Sequence, residues 1–299
     1  MDSEKRAYLE LHVAVLLFGF TAILGDLIQL SALVLVWWRV LLTSISLLFL
    51  IKVVPLIRQM PRRLLLRFMG IGVLVALHWL AFYGSIKLAN ASIALVCMAT
   101  TSFFTSLLEP WIMRQKVKGY EIALGLLILP GMILIVNATE LSMMSGIWVG
   151  LLSAFLAALF GTLNKKYIGE SNVLNITFLE LGTAWLFLSL ILPFALYNTA
   201  GALQFMPSLV DWGYLLVLAL FCTTLAYVLA LRSLVHLTAF AANLTINLEP
   251  VYGIALALIL LDDSQELTAN FYFGVLIIMG VVFTYPWFRK RFSKKNVPI

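Results

Sequence analysis

Residues 234–252 read LVHLTAFAANLTINLEPVY, and IKLANASIALVCMATTSFF at 86–104 lies against them at an offset of 148 residues. The register pairs Ala91 with Ala239 and Ser102 with Pro250. Just beyond, Gly125 and Gly131 match Gly274 and Gly280, and toward the N-terminus Gly19 pairs with Gly161 and Arg39 with Glu180. Extra residues in the polar segment from Tyr197 to Val210 account for the shorter offset at that end. A repeat on this scale decides how everything else is divided. It splits the chain into two units, 1–138 and 139–299.

Each unit is too apolar for water. Hydrophobic residues make up 63% of the 299 positions and charged ones 11%, against about half and a quarter in soluble domains. A bilayer core about 30 Å thick asks each helix for roughly 20 apolar residues, which leaves room for about ten spans and little else. Apolar runs between polar or Pro/Gly punctuation place the first five helices at about 8–29, 32–54, 68–88, 91–113 and 119–137. The second five fall at about 145–164, 173–197, 211–231, 237–261 and 271–288. The expected fold is thus an all-α membrane protein of ten transmembrane helices. Lys5 and Arg6 precede the first apolar run, but Gly19 to Gln29 offers no small-residue cleavage site, so the first helix is expected to be retained.

Charge supports that count. With a cytoplasmic N-terminus, all of the 20 Lys and Arg except Arg39 and Lys87 fall in segments facing the same side. The opposite loops, around Asp26, Glu140, Asp211 and Asp262, carry no cation. This follows the positive-inside rule, and one helix more or fewer would scramble it. Both termini are then cytoplasmic, and the expected location is a cell membrane, the bacterial inner one. Trp37, Trp38, Trp111, Trp148, Trp212 and Trp287 fall near helix ends, as interfacial belts require. The net charge of +6 sits in short loops rather than on a folded basic face, which argues against a nucleic-acid partner. Cys97 and Cys222 lie in apolar runs and imply no disulfide framework.

Five is odd, so two five-helix units in one chain face opposite ways through the membrane, the inverted repeat of many secondary transporters, with a solute site near the midplane. The chain also resembles the EamA family of the drug/metabolite transporter superfamily. The resemblance rests on Trp38-Arg39-Val40 in the second helix, SIKLANASIAL from Ser85, and Asn247-Leu248-Glu249-Pro250-Val251-Tyr252-Gly253 followed by Gly274 and Gly280. It covers essentially the whole chain as two EamA repeats. It departs after the fourth helix, where the family often has Gly-Glu and this chain has Arg114-Gln115-Lys116. The resemblance implies a ten-helix fold around a central cavity and, among bacterial members, export of amino acids and other metabolites.

Glu249 is the most informative candidate, since it lies near the middle of the ninth helix. A charge at that depth costs about 2.5–3.5 kcal/mol on insertion scales, so it needs a partner, a proton or water. Pro250 removes the helical donor of the Ile246 carbonyl, tolerable only beside protein or a polar cavity. At 100° per residue Thr238, Thr245, Glu249 and Tyr252 share one face, expected to line the cavity. His236, Asn243 and Asn247 share the other, expected to pack on neighbours. Glu249 either binds a substrate ammonium or exchanges a proton, or it closes a hydrogen-bond gap beside the proline.

Arg39 and Glu180 hold equivalent positions in helices two and seven. They could attract the anionic and cationic ends of an amino acid, or hold the architecture through carbonyls or a mutual pair. Trp79, Tyr83 and Lys87 recur at four-residue spacing on helix three beside His78, which reads either as a cation-binding wall or as a packing stripe. Thr101 and Thr105 share a face of helix four with Glu109, which is close enough to the cytoplasmic end to pair with Arg114. Tyr227 and Thr223 share a face of helix eight. The expected substrate-binding set is therefore Glu249, Trp79, Tyr83, His78, Arg39, Glu180, Thr101, Thr245 and Tyr227.

Other classes fit poorly. None of His12, His78 and His236 lies in an HExxH pattern, there is no GxSxG elbow, and no mid-helix aspartate pair suggests an intramembrane protease. No GxxxxGK[ST] loop appears, so no cofactor, metal or nucleotide is expected. The expected activity is secondary transport, in the direction of export, of amino acids or related small polar metabolites. A different metabolite class, such as nucleotide-linked or amine compounds, stays open, and an intramembrane enzyme is the more distant alternative. The partners expected are a small solute and the lipid bilayer. Gly146 and Gly150 could seat a homodimer or pack helices within one chain.

Overall fold

The computed structural model describes residues 2–136, 143–198, 204–249, 251–252 and 269–293. The first half runs through α1 (Ser3–Leu27), α2 (Ala32–Leu48), α3 (Val53–Gln59), α4 (Arg62–Leu88), α5 (Ala91–Met98), α6 (Thr101–Met113) and α7 (Gly119–Val136). The second half contains α8 (Met144–Tyr167), α9 (Val173–Asn198), α10 (Leu209–Ala219), α11 (Ala226–Leu234), α12 (Ala239–Ile246) and α13 (Ala269–Ser293). Among the described residues there is no strand.

Among the described residues six helical segments are long and apolar enough to cross a bilayer: Ser3–Leu27, Arg62–Leu88, Ile93–Met113, Met144–Glu170, Val173–Asn198 and Leu209–Leu234. The chain is a multi-pass membrane protein. Trp111, Trp148 and Trp287 are exposed on its outside, whereas Trp38 packs against Trp37 and Trp212.

Several expected boundaries move, for identifiable reasons. The second helix, expected over 32–54, ends at Leu48, and the chain bends by 93° into α3. A helix continued through Pro55 would lose the bond to the Ile51 carbonyl. Placed instead in the first turn of α3, Pro55 leaves no acceptor unmet, because first-turn amides have no intrahelical partner. The fourth helix is interrupted at Ala99–Thr100, between α5 and α6. The eighth contains a π-helical stretch at Leu220–Leu225 between α10 and α11. The expected ninth helix runs as α12 only to Ile246 and turns at Asn247–Leu248. Pro250 and the remainder of that helix beyond Tyr252 lie outside the described residues.

The repeat is visible in the caps. Asn90 accepts from the Ile93 amide at 2.9 Å to start α5, and Thr238, 148 residues on, accepts from the Ala241 amide at 3.0 Å to start α12. It is visible in the packing as well. α4 packs along α8 and α9, and reciprocally α10 and α11 pack along α1 and α2; α2 meets α9, and α7 meets α13. Small residues permit these approaches. A Cβ added at Gly72 would lie 2.3 Å from the Glu180 carbonyl oxygen, and one at Gly131 would lie 3.0 Å from the Gly274 carbonyl oxygen. The Gly146 and Gly150 pair is used inside the chain, since Cβ atoms there would meet Ala89 at 2.6 Å and Cys97 at 2.8 Å.

Candidate functional site

A cavity of about 110 Å³ lies between the two halves. The first half contributes Thr21 from α1, Arg39 from α2, His78 and Trp79 from α4, and Met98 and Thr101 from the α5–α6 break. The second half contributes Asn164 from α8, Tyr227 from α11, Asn243 from α12, and Glu249. Phe18, Phe82 and Phe160 add an apolar wall.

Arg39 is the largest fully buried side chain in the molecule's described part, at 1% exposure. Its Nε donates to Thr223 Oγ1 at 2.6 Å, Nη1 to Tyr83 Oη at 2.7 Å, and Nη2 to the Cys222 carbonyl at 3.4 Å. The guanidinium carbon stands 4.1 Å from the Trp79 ring centroid, in cation–π range. Two of these acceptors lie in the π-helical stretch: the Cys222 carbonyl, and Thr223, whose hydroxyl donates to the Leu218 carbonyl at 2.6 Å and still accepts from Arg39. A guanidinium held by neutral groups and an indole puts a positive charge on the cavity wall with no ion pair among the described residues.

Glu249 carries the opposite sign. It is 7% exposed, lines the cavity, and makes no hydrogen bond or ion pair among the described residues. The helix is already broken before it, so its carboxyl is not tied to the backbone of α12. Below it, Asn243 Nδ2 donates to Thr105 Oγ1 at 2.7 Å and Asn247 Nδ2 to Ser102 Oγ at 2.9 Å, anchoring the segment on α6.

His78 lines the cavity from α4, its Nδ1 3.0 Å from the Ser153 carbonyl and 2.9 Å from Ser153 Oγ. Ser153 Oγ also donates to the His78 carbonyl at 3.0 Å, clasping α4 to α8. Thr101 lines the cavity with a hydroxyl oxygen that has no partner among the described residues. Tyr227 is 6% exposed and donates to Glu180 Oε2 at 2.6 Å.

Three members of the expected set stand off the wall. Tyr83 is fully buried behind Trp79 and holds Arg39. Glu180 is fully buried behind Tyr227 and Asn164. Thr245 donates to its own helix at the Ala241 carbonyl, 2.9 Å away, and does not reach the cavity. Arg39 and Glu180 do not pair with each other. Lys87, at the far end of α4, donates to the Ile28 carbonyl at 2.9 Å. Glu109 does not pair with Arg114. It accepts from the Ala239 amide at 3.1 Å and the Phe240 amide at 2.7 Å, capping α12 where orphan amides and the helix dipole favour an anion.

The face assignment within the ninth helix is also corrected. Asn243, expected on the packing side, both anchors α12 and lines the cavity. Thr238 serves as the N-cap instead of lining it. A helical wheel assumes an unbroken helix, and the turn at Asn247–Leu248 ends that assumption. Asn164 and Thr21 were not expected. Asn164 is a lone amide ending the apolar run of α8, but its neighbours Lys165 and Lys166 make it look like part of a solvated helix end.

A solved structure described as "Crystal structure of protein" superposes with a TM-score of 0.71 at 13% identity, covering 96% of this chain and 98% of the other, and so shares the fold. The "Uncharacterized transporter YetK" of Bacillus subtilis (strain 168) is 28% identical over 92 residues, spanning 31% of this chain and 27% of that protein. The sequence profile of the EamA-like transporter family matches residues 5–137 and again 144–285. Matched over both halves, the chain belongs to the EamA-like transporter family.

Proposed function

We propose that the chain is a ten-helix secondary transporter of the bacterial inner membrane, with repeats at 1–138 and 139–299 inserted in opposite senses and both termini cytoplasmic. It exports amino acids or related small polar metabolites by alternating access through the central cavity. The observation that carries this proposal is the placing of two ionisable side chains of opposite type on that cavity, Arg39 on the first half and Glu249 on the second, neither held in an ion pair among the described residues. A zwitterion supplies what each lacks: its carboxylate meets the guanidinium fork, and its ammonium meets the carboxylate. Trp79, His78, Thr101 and Tyr227 complete the contact surface. The reciprocal packing of α4 on α8–α9 and of α10–α11 on α1–α2 supports exchange of two half-related arrangements around a fixed site.

The test is reconstitution into liposomes preloaded with a panel of labelled amino acids, nucleotides and amines. Exchange of amino acids against the same unlabelled compound, lost in Arg39→Met and Glu249→Gln, is expected. Exchange confined to nucleotides or amines, or none at all, contradicts it.

A further inference from the structure

Glu180 sits two turns inside α9 with 0% exposure. Its Oε2 accepts from Tyr227 at 2.6 Å and from Asn164 Nδ2 at 3.2 Å, and Asn164 Nδ2 also reaches Tyr227 Oη at 3.4 Å. The three side chains close a triangle. Two acceptors within it, Glu180 Oε1 and Asn164 Oδ1, are buried and have no partner among the described residues. The ion pairs of the described residues join Arg6 and Arg232 to Glu10, Lys118 to Glu121, and Arg289 to Glu4, so none reaches Glu180. Among the described residues no charged side chain is hydrogen-bonded or ion-paired to Glu180. α4 presents Gly72 against the Glu180 backbone, α8 presents Asn164, and α11 presents Tyr227. α2 carries Arg39, whose guanidinium is taken by Tyr83, Thr223 and Trp79.

A buried carboxylate without a counter-charge, beside a second orphan acceptor, lacks one thing: a small cation. We infer that Glu180, Asn164 and Tyr227 form a monovalent-cation site, separate from the solute-contacting wall and joined to it by Tyr227 and Asn164. Both of these residues line the cavity while holding Glu180 behind it. Occupancy neutralises Glu180 without breaking any covalent bond. A proton adds to a carboxylate oxygen to make the carboxylic acid, whereas Na⁺ would be bound by the carboxylate and amide oxygens. The cation's use in driving export rests on the proposed transport function; the existence of the site does not.

The test therefore needs no transport. Full-length protein in lipid nanodiscs is stepped through pH in choline buffer, and the experiment is repeated with Na⁺ replacing choline, while infrared difference spectra follow the carboxyl bands. The wild type is expected to show a carboxyl signal that responds to the cation and is missing from Glu180→Gln. A response to pH alone identifies the occupant as the proton, and a pH midpoint displaced by Na⁺ identifies sodium. Tyr227→Phe, which keeps the carboxyl but removes its donor, is expected to move the midpoint, and it carries the test if the Gln variant fails to fold. Identical responses of wild type and Glu180→Gln, or an unmoved midpoint in Tyr227→Phe, overturn the site. If the cation response is present and liposome exchange fails, the transport proposal falls and the site stands.

Discussion

Trp79 and Tyr227 meet edge to face across the cavity, ring centroids 6.3 Å apart at an interplanar angle of 65°. They also stand at the repeat's own offset of 148 residues, one in each half. Each ring holds the charged residue of its own half. Trp79 lies beneath Arg39, and Tyr227 donates to Glu180, which is the repeat equivalent of Arg39. The two halves thus build the same aromatic-plus-charge pair with opposite sign, and the rings close against one another where the halves join.

Because Arg39 satisfies three acceptors and stacks on an indole, its shape matters as much as its charge. Arg39→Lys keeps the charge but loses the planar fork, and is expected to destabilise the protein by about 1.5–3 kcal/mol through unmet buried acceptors. A lowered unfolding midpoint in detergent with exchange reduced together with it is the expected result. A variant indistinguishable from wild type in both measures would mean that the fork is not used.

Glu249 and Glu109 should behave oppositely. Glu249 has no hydrogen-bond partner among the described residues, so Glu249→Gln is expected to leave stability within about 1 kcal/mol of wild type or raise it, since a buried ionisable carboxyl is removed. Solute affinity should fall about tenfold or more, the effect of losing about 1.4 kcal/mol. Glu109 caps two amides of α12. Glu109→Gln is expected to cost about 0.5–2 kcal/mol of stability as a weakened cap. Thermal unfolding of the two variants side by side checks the contrast.

Two glycines on one helix separate packing from propensity. Gly72→Ala would drive a methyl to 2.3 Å from the Glu180 carbonyl, while a methyl at Gly70 meets nothing within 4 Å. Overpacking of this kind costs about 1–3 kcal/mol. Gly72→Ala should lower the unfolding midpoint and the yield of folded protein, and Gly70→Ala should not. Equal behaviour of the two would contradict the close α4–α9 approach.

Much of this arrangement was legible in the residues. Arg39, His78, Trp79, Thr101, Tyr227 and Glu249 are polar or aromatic interruptions of apolar runs, and such interruptions must face something other than lipid. The break between α2 and α3 was legible only in part, because Phe49 to Val54 is apolar except for Lys52, and only Lys52 and Pro55 mark the bend. Asn164 was obscured by the lysines beside it, since polarity at a helix end has a ready interfacial explanation. The roles of Thr245 and Asn243 were exchanged because a periodicity count cannot see the turn at Asn247–Leu248. Which acceptors Glu109 and Arg39 use depends on contacts between helices far apart in the chain, and no local pattern encodes those.

Accessibility of the cavity from both membrane faces tests the central claim most directly. Ala157 lines the cavity, and the native Cys97 and Cys222 are buried. In a background lacking both, a cysteine introduced by Ala157→Cys is exposed to a membrane-impermeant thiol reagent applied from one face at a time. Labelling from each face in turn, slowed by the exchanged amino acid, is the result expected of alternating access. Labelling from one face only, or from neither, with exchange intact would contradict it.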